Sequence, residues 1–184
     1  MKRPFVRSAV APVLSAAMVA ATLSVSPVLA AGDSGGGTTV TTPSCKKGFR
    51  WSRSKKKCLK IQKSSRLSDE DAYIGGRSLA YEGRYEEALA VLAMAGETRD
   101  PRVLNYRGYA TRKMGDVEGA LPHYYAALKA DPDYTLVREY LGEAFLQLGR
   151  VDDARAQLAE IAERCGRTCR EYAMLERAIV SAAR

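Results

Sequence analysis

Histidine is almost missing from this chain: His123 is the single one in 184 residues. That excludes a multi-histidine metal centre and leaves a nucleophilic relay without its usual base, because no Ser or Cys stands at a readable spacing from His123. Cysteine is scarce too, and the four present avoid the spacings that carry chemistry. Cys165 and Cys169 are separated by three residues, whereas the motif that lowers a thiol pKa at a helix start has two. The 12 residues between Cys45 and Cys58 do not make a zinc knuckle. The acidic pairs Glu86-Glu87 and Asp152-Asp153 read as first-turn helix charges. Neither an enzyme nor a metal or cofactor site is expected.

Charge-free apolar sequence is concentrated at the start. Lys2, Arg3 and Arg7 precede an Ala/Val/Leu stretch from Ser8 to Val25, and Val28-Leu29-Ala30 fits the small-x-small rule for cleavage before Ala31. Residues 1–30 therefore read as a secretory signal peptide, and the mature chain is expected to be periplasmic or secreted. The stretch is also roughly long enough to span a membrane uncleaved, against which Pro27 and the cleavage triplet argue. No Cys follows the cleavage point, so a lipid anchor there is not expected.

Export changes the meaning of the formal charge of +8. The basicity is local: residues 31–66 hold ten Lys/Arg and one Asp, whereas residues 67–184 hold 16 Lys/Arg and 20 Asp/Glu. An address outside the cytoplasm removes most of the nucleic-acid reading that a basic chain invites. In an oxidising compartment four cysteines imply disulfides, and of the three possible connectivities the local one is favoured, Cys45–Cys58 with Cys165–Cys169. The first would close a basic segment, residues 45–66, in which Gly48 supplies a turn and Phe49 and Trp51 alternate with Arg50 and Ser52 as in a strand. Closing a loop of that length restricts the unfolded chain by about 3 kcal/mol. The cations Lys46, Lys47, Arg50, Arg53, Lys55, Lys56 and Lys57, with Trp51, can attach to an anionic envelope surface, each contributing about 1 kcal/mol close to such a surface. They can equally be a solvated tether. Residues 31–44, rich in Gly, Thr and Ser, read as a flexible linker.

In CGRTC, Gly166 is placed to end a helix in the left-handed conformation, and Thr168 with Glu171 to form a capping box for the next. A bridge between Cys165 and Cys169 would fix the angle between those helices. The competing function is a thiol-disulfide oxidoreductase or chaperone working through the same two cysteines.

From Ser68, an N-cap candidate followed by Asp69, Glu70 and Asp71, a repeat takes over. Gly83, Ala88 and Leu92 are followed by Gly115, Ala120 and Tyr124, then Gly149, Ala154 and Leu158; the steps between units are 32 and 34 residues. A small-residue pattern at that period is the mark of a solenoid of helix pairs. Gly108 with Ala120, and Gly142 with Ala154, are expected to let the two helices of a pair approach closely. Asp116 and Asp152 or Asp153 suit helix starts, and Pro122, about six residues into a helix from Val117, is expected to bend it. Tyr106, Tyr109, Tyr124, Tyr125, Tyr134 and Tyr140 are expected to pack between helices with hydroxyls reaching the surface. After Thr168 an amphipathic stripe of Tyr172, Leu175, Ile179 and Ala182 reads as a cap on the exposed end.

The second unit carries Leu104, Gly108, Gly115, Ala120, Tyr124, Ala127 and Pro132, and the third Leu141, Gly142, Phe145, Gly149, Ala154, Leu158 and Ile161. With Gly76, Gly83, Ala88, Leu92 and Ala95 in the first, this pattern resembles the tetratricopeptide repeat over roughly residues 67–168. The closing string CGRTCREYAML also resembles the ending of small exported repeat proteins of proteobacteria. The resemblance implies an all-α, right-handed α-solenoid of about three helix hairpins plus a capping helix at 169–184. It also implies a concave groove for a protein or peptide partner, lined by the first helix of each pair. Those residues would be Tyr73, Arg77 and Tyr81, then Asn105, Tyr109, Arg112 and Lys113, then Glu139, Glu143 and Gln147. The carboxylate clamp found in some members is not carried over, because Glu139 and Glu143 stand where it wants bases.

Overall fold

The computed structural model describes residues 42–62 and 66–183. The signal-peptide reading of 1–30 and most of the linker at 31–44 lie outside them. The order is a two-stranded antiparallel hairpin, β1 (Phe49–Ser52) and β2 (Lys57–Lys60), followed by seven helices: α1 (Asp69–Tyr81), α2 (Tyr85–Ala93), α3 (Pro101–Lys113), α4 (Val117–Ala130), α5 (Thr135–Gln147), α6 (Val151–Cys165) and α7 (Arg170–Ala182). Consecutive helices pair as α1/α2, α3/α4 and α5/α6, and each hairpin packs on the next; α7 rests on α5 and α6. The fold is the expected all-α solenoid, and no helix among the described residues is long and apolar enough to cross a membrane.

The helix ends follow from local chemistry. The Ser68 hydroxyl accepts the Asp71 N–H at 3.2 Å, Asp100 accepts the Arg102 N–H at 2.9 Å with Pro101 in the first turn, and Asp116 accepts the Gly119 N–H at 2.8 Å. Each side chain satisfies a donor that a helix start leaves open. The turn between α3 and α4 needs a residue at φ +98°, which Gly115 adopts without a Cβ clash; Gly83 and Gly149 hold the equivalent points of the other hairpins. Pro122 lies within α4, which continues through it without interruption.

Small residues in the first helices receive large ones from the second. A Cβ built on Gly76 would stand 2.4 Å from Leu92, and one on Gly108 would stand 2.7 Å from the Tyr124 ring. The third unit departs from this expectation. A Cβ on Gly142 would meet Leu175 of α7 at 2.6 Å, so this glycine admits the capping helix.

The junction before α7 also differs. Its N-cap is Cys169, without a side-chain capping bond, so Thr168 and Glu171 do not form a capping box. Glu171 is instead buried at 3% exposure. Gly166 has the positive φ expected of it, but at φ 80° and ψ 174° it is extended rather than left-handed helical, which redirects the chain sharply between α6 and α7. Both local disulfides are present, Cys45–Cys58 and Cys165–Cys169, each with 5.8 Å between Cα atoms.

The basic segment is docked on the array and is not a free tether. Arg84, between α1 and α2, donates to the carbonyls of Cys45, Lys46 and Phe49, while Glu87 holds Arg84 at 2.7 Å and accepts the Gly48 N–H at 2.6 Å. The hydrogen bond from Arg84 is the leading reason the Glu87 carboxyl lies below its ordinary pKa. Arg53 reaches Glu70 at 3.0 Å, and the Thr42 hydroxyl reaches Ser78 at 2.9 Å.

Candidate functional site

Five tyrosine rings from three successive first helices form one continuous cluster. Tyr73 and Tyr81 come from α1, Tyr106 and Tyr109 from α3, and Tyr140 from α5. Centroids lie 5.7 Å apart for Tyr73–Tyr106, 5.8 Å for Tyr81–Tyr106, 5.9 Å for Tyr106–Tyr109 and 4.9 Å for Tyr109–Tyr140. Tyr85 of α2 joins at 6.4 Å from Tyr109. Such tilted and edge-on pairs contribute about 0.5–1.5 kcal/mol each beyond the area they bury.

Guanidinium groups are stacked against this cluster. Arg77 lies 4.8 Å from the Tyr81 centroid, Arg102 lies 4.6 Å from Tyr73, and Arg112 lies 5.8 and 5.9 Å from Tyr109 and Tyr140. A planar cation is drawn to the negative face of a ring, more strongly where water is excluded. Polar handles lock the arrangement: the Tyr81 and Tyr106 hydroxyls are 2.6 Å apart, and Arg77 donates to the Tyr106 hydroxyl at 3.2 Å. Burial works against the Arg77 charge, but Tyr106, Tyr81 and Tyr73 outweigh it and hold the guanidinium above its ordinary pKa. Burial raises the Tyr109 phenol to about 12 and pushes Tyr106 and Tyr140 upward as well, so these hydroxyls remain neutral donors at any physiological pH.

The residues expected to line the groove are thereby sorted. Tyr81 is exposed at 37%, Lys113 is exposed, and Tyr73, Arg77, Tyr109 and Glu143 are half-buried. Asn105 and Glu139 are 0% and 2% exposed and lie beneath the face; a helix position that turns inward between packed hairpins cannot also meet a ligand. Arg112 is 4% exposed and is committed internally, to the Tyr124 hydroxyl at 3.3 Å and Glu143 at 2.6 Å. Burial, reinforced by Glu143, raises the Glu139 carboxyl to about 8. The hydroxyls of Tyr106 and Tyr124 do not reach the surface as expected; both residues are 0% exposed and bonded internally. Sequence reasoning gave Tyr106 and Tyr140 to packing, which their burial bears out, and passed over Arg102. The readable signal was Tyr at i and i+3 in α3, which places both rings on one helix face.

On the hairpin, Arg50 is 6% exposed and Trp51 is half-buried, so neither presents itself to an outside surface as the attachment reading required. Lys46, Lys47, Arg53, Lys55, Lys56 and Lys57 are exposed. Burial with the nearby Arg107 lowers the His123 pKa, favouring its neutral form. Cys165, Cys169 and Glu171 bring ligand-type atoms within 4.8 Å of one another, but both sulfurs are consumed by their disulfide.

Two tetratricopeptide-repeat family models match the chain, one over residues 75–135 and one over residues 112–179, together spanning more than half of it. The chain belongs to the tetratricopeptide-repeat family. A BBSome complex member, bbs-4 of Caenorhabditis elegans, is 32% identical over 73 residues, which is 40% of this chain and 16% of that relative's length. The structure resembles the Yersinia enterocolitica type III secretion chaperone SycD, solved in complex with a peptide of the translocator YopD. The TM-score is 0.53 at 23% identity, covering 63% of this chain and 91% of that one. At that identity the likeness concerns the fold. The repeats make this chain a protein–protein interaction module.

Proposed function

We propose that this module is an exported, non-catalytic adaptor that holds an extended or helical segment of a partner protein against the tyrosine–arginine face of α1, α3 and α5. One observation carries the reading: the ring cluster is continuous across three hairpins, with Tyr81 open to solvent at its edge. Rigid amphipathic rings offer contact area at low entropic cost. That the structurally similar SycD was solved with a peptide of YopD supports a polypeptide segment as the occupant. Export rests on the cationic and apolar pattern of residues 1–30 and is supported by two cysteine pairs at disulfide distance, the state expected outside a reducing cytosol.

The test is site-specific photo-crosslinking in cells, with the photoreactive residue placed at position 81 on this face or at position 125 on α4, where Tyr125 is 48% exposed. The reading expects a partner band from position 81 and little from position 125. Equal bands from both positions, or none from position 81, would overturn it.

A further inference from the structure

The hairpin presents its inner face the opposite way to an ordinary amphipathic strand. Burial along β1 alternates so that Arg50 and Ser52 are covered, while Phe49 and Trp51 are only partly buried. Gly75 of α1 lies under this strand: a Cβ there would be in ordinary contact with it, 3.5 Å from Cδ of Arg50 and 3.6 Å from the Trp51 carbonyl. Covering a guanidinium normally demands partners for its donors. Neither Nε nor Nη1 of Arg50 has one.

Arg50 lines a cleft of about 420 Å³ between the hairpin and the start of the helical array. The cleft's other cations are Lys55, Lys60 and Arg66, and its one acid is Asp71, which accepts the Ser54 hydroxyl at 3.5 Å. Four positive groups against one negative group favour a doubly charged ligand over a single carboxylate. A guanidinium forms charge-assisted hydrogen bonds with a tetrahedral oxyanion.

We propose that this cleft binds a phosphate or phosphomonoester group, with Arg50 as its buried anchor and Lys55, Lys60 and Arg66 as its rim. The site is separate from the tyrosine face, and its chemistry is that of a free phosphorylated small molecule or of a phosphatidic-acid headgroup. It uses a few placed groups rather than the whole basic surface, so an exposed cation outside the cleft, such as Lys47, contributes little.

Equilibrium dialysis of the full chain against radiolabelled inorganic phosphate at constant ionic strength tests this, alongside flotation with vesicles of phosphatidylcholine with or without phosphatidic acid, whose headgroup is a phosphomonoester. The wild type should bind phosphate saturably. Arg50→Gln should weaken that binding about tenfold or more, as the loss of charge-assisted bonds implies. Lys60→Ala should weaken it several-fold, and Lys47→Ala should leave it unchanged. Should Arg50→Gln fail to fold by circular dichroism, Lys60→Ala against Lys47→Ala still decides. Flotation only with the vesicles that contain phosphatidic acid, lost in Lys60→Ala and Arg50→Gln and kept in Lys47→Ala, would assign the phosphate to a lipid. Equal affinity in the cleft and non-cleft variants, equal loss in both, or no binding to either probe would overturn the proposal.

Discussion

At its C-terminal end the array is closed by a helix that inserts Leu175, 0% exposed, against Gly142 and buries Ile179 beside it. At its N-terminal end it is closed by a hairpin held through Arg84, Glu87 and backbone carbonyls, and tied by a disulfide. A repeat array has an apolar flank at each end that must be covered. Thirteen residues of amphipathic helix cover the C-terminal flank chiefly by burial, behind the Cys165–Cys169 bridge at the junction with α6. The hairpin has two strands of four residues, and four of its eight positions are Lys, Arg or Ser. It has too little apolar surface to do the same, so directional bonds and a covalent bridge hold it in place. The C-terminal cap should therefore respond to loss of volume, and the N-terminal cap to loss of particular atoms.

Leu175→Ala should have the largest effect, destabilising the domain by about 2–5 kcal/mol in denaturant melts, because the cavity opens against a glycine that cannot refill it. Replacing Cys45 and Cys58 together by Ser should cost about 3 kcal/mol on the chain-entropy account. Most of that loss should appear as amide exchange in residues 45–60, with the helices protected as before. Arg84→Ala should cost about 2 kcal/mol, since its charged hydrogen bonds to Cys45, Lys46 and Phe49 go together, and should release the same segment. If the helices unfold along with the hairpin in either variant, the two caps are not independent.

Glu139 supplies a pH-dependent contrast on the C-terminal side. Its carboxyl is raised from 4.5 to about 8, first by burial and then by Glu143 and Glu171, against Arg170 and Arg112. The folded protein then holds a proton that the unfolded chain releases, so this group's contribution to stability falls as pH rises from about 4.5 to 8 and is level beyond. Glu139→Gln should flatten that slope in melts across the range. The smallest effect belongs to Arg53→Ala, whose pair with Glu70 is about half exposed on both sides and should be worth no more than about 0.5 kcal/mol.

The helical array was legible because its rules are local. Ser68 and Asp116 cap where their side chains reach an open N–H, and glycines at steps of 32 and 34 residues mark turns that need positive φ. What was misread depended on third partners. Gly142 looks like Gly108 in sequence, but what meets it is set by α7, thirty-three residues further on. Thr168 and Glu171 have the spacing of a capping box, yet burial of Glu171 and the turn at Gly166 move the cap to Cys169. In the candidate site, the first-helix positions included Tyr73, Tyr81 and Tyr109 of the ring cluster. They could not separate Asn105 and Glu139 beneath the tyrosine face from Tyr81 upon it, because adjacent hairpins decide which turn of a helix is covered. Arg50 shows the same limit in the hairpin, where strand alternation identified two faces but not which one meets Gly75.

The central claim, that the tyrosine–arginine face takes a polypeptide segment, is tested most directly by selecting a displayed peptide library on the folded domain. Selected peptides are then titrated against the wild type and a Tyr81→Ala/Tyr109→Ala variant that retains its helical circular dichroism. The account predicts peptides that bind the wild type and lose about tenfold or more in affinity for the variant. Peptides that bind both proteins equally, or a selection that enriches none, would contradict it.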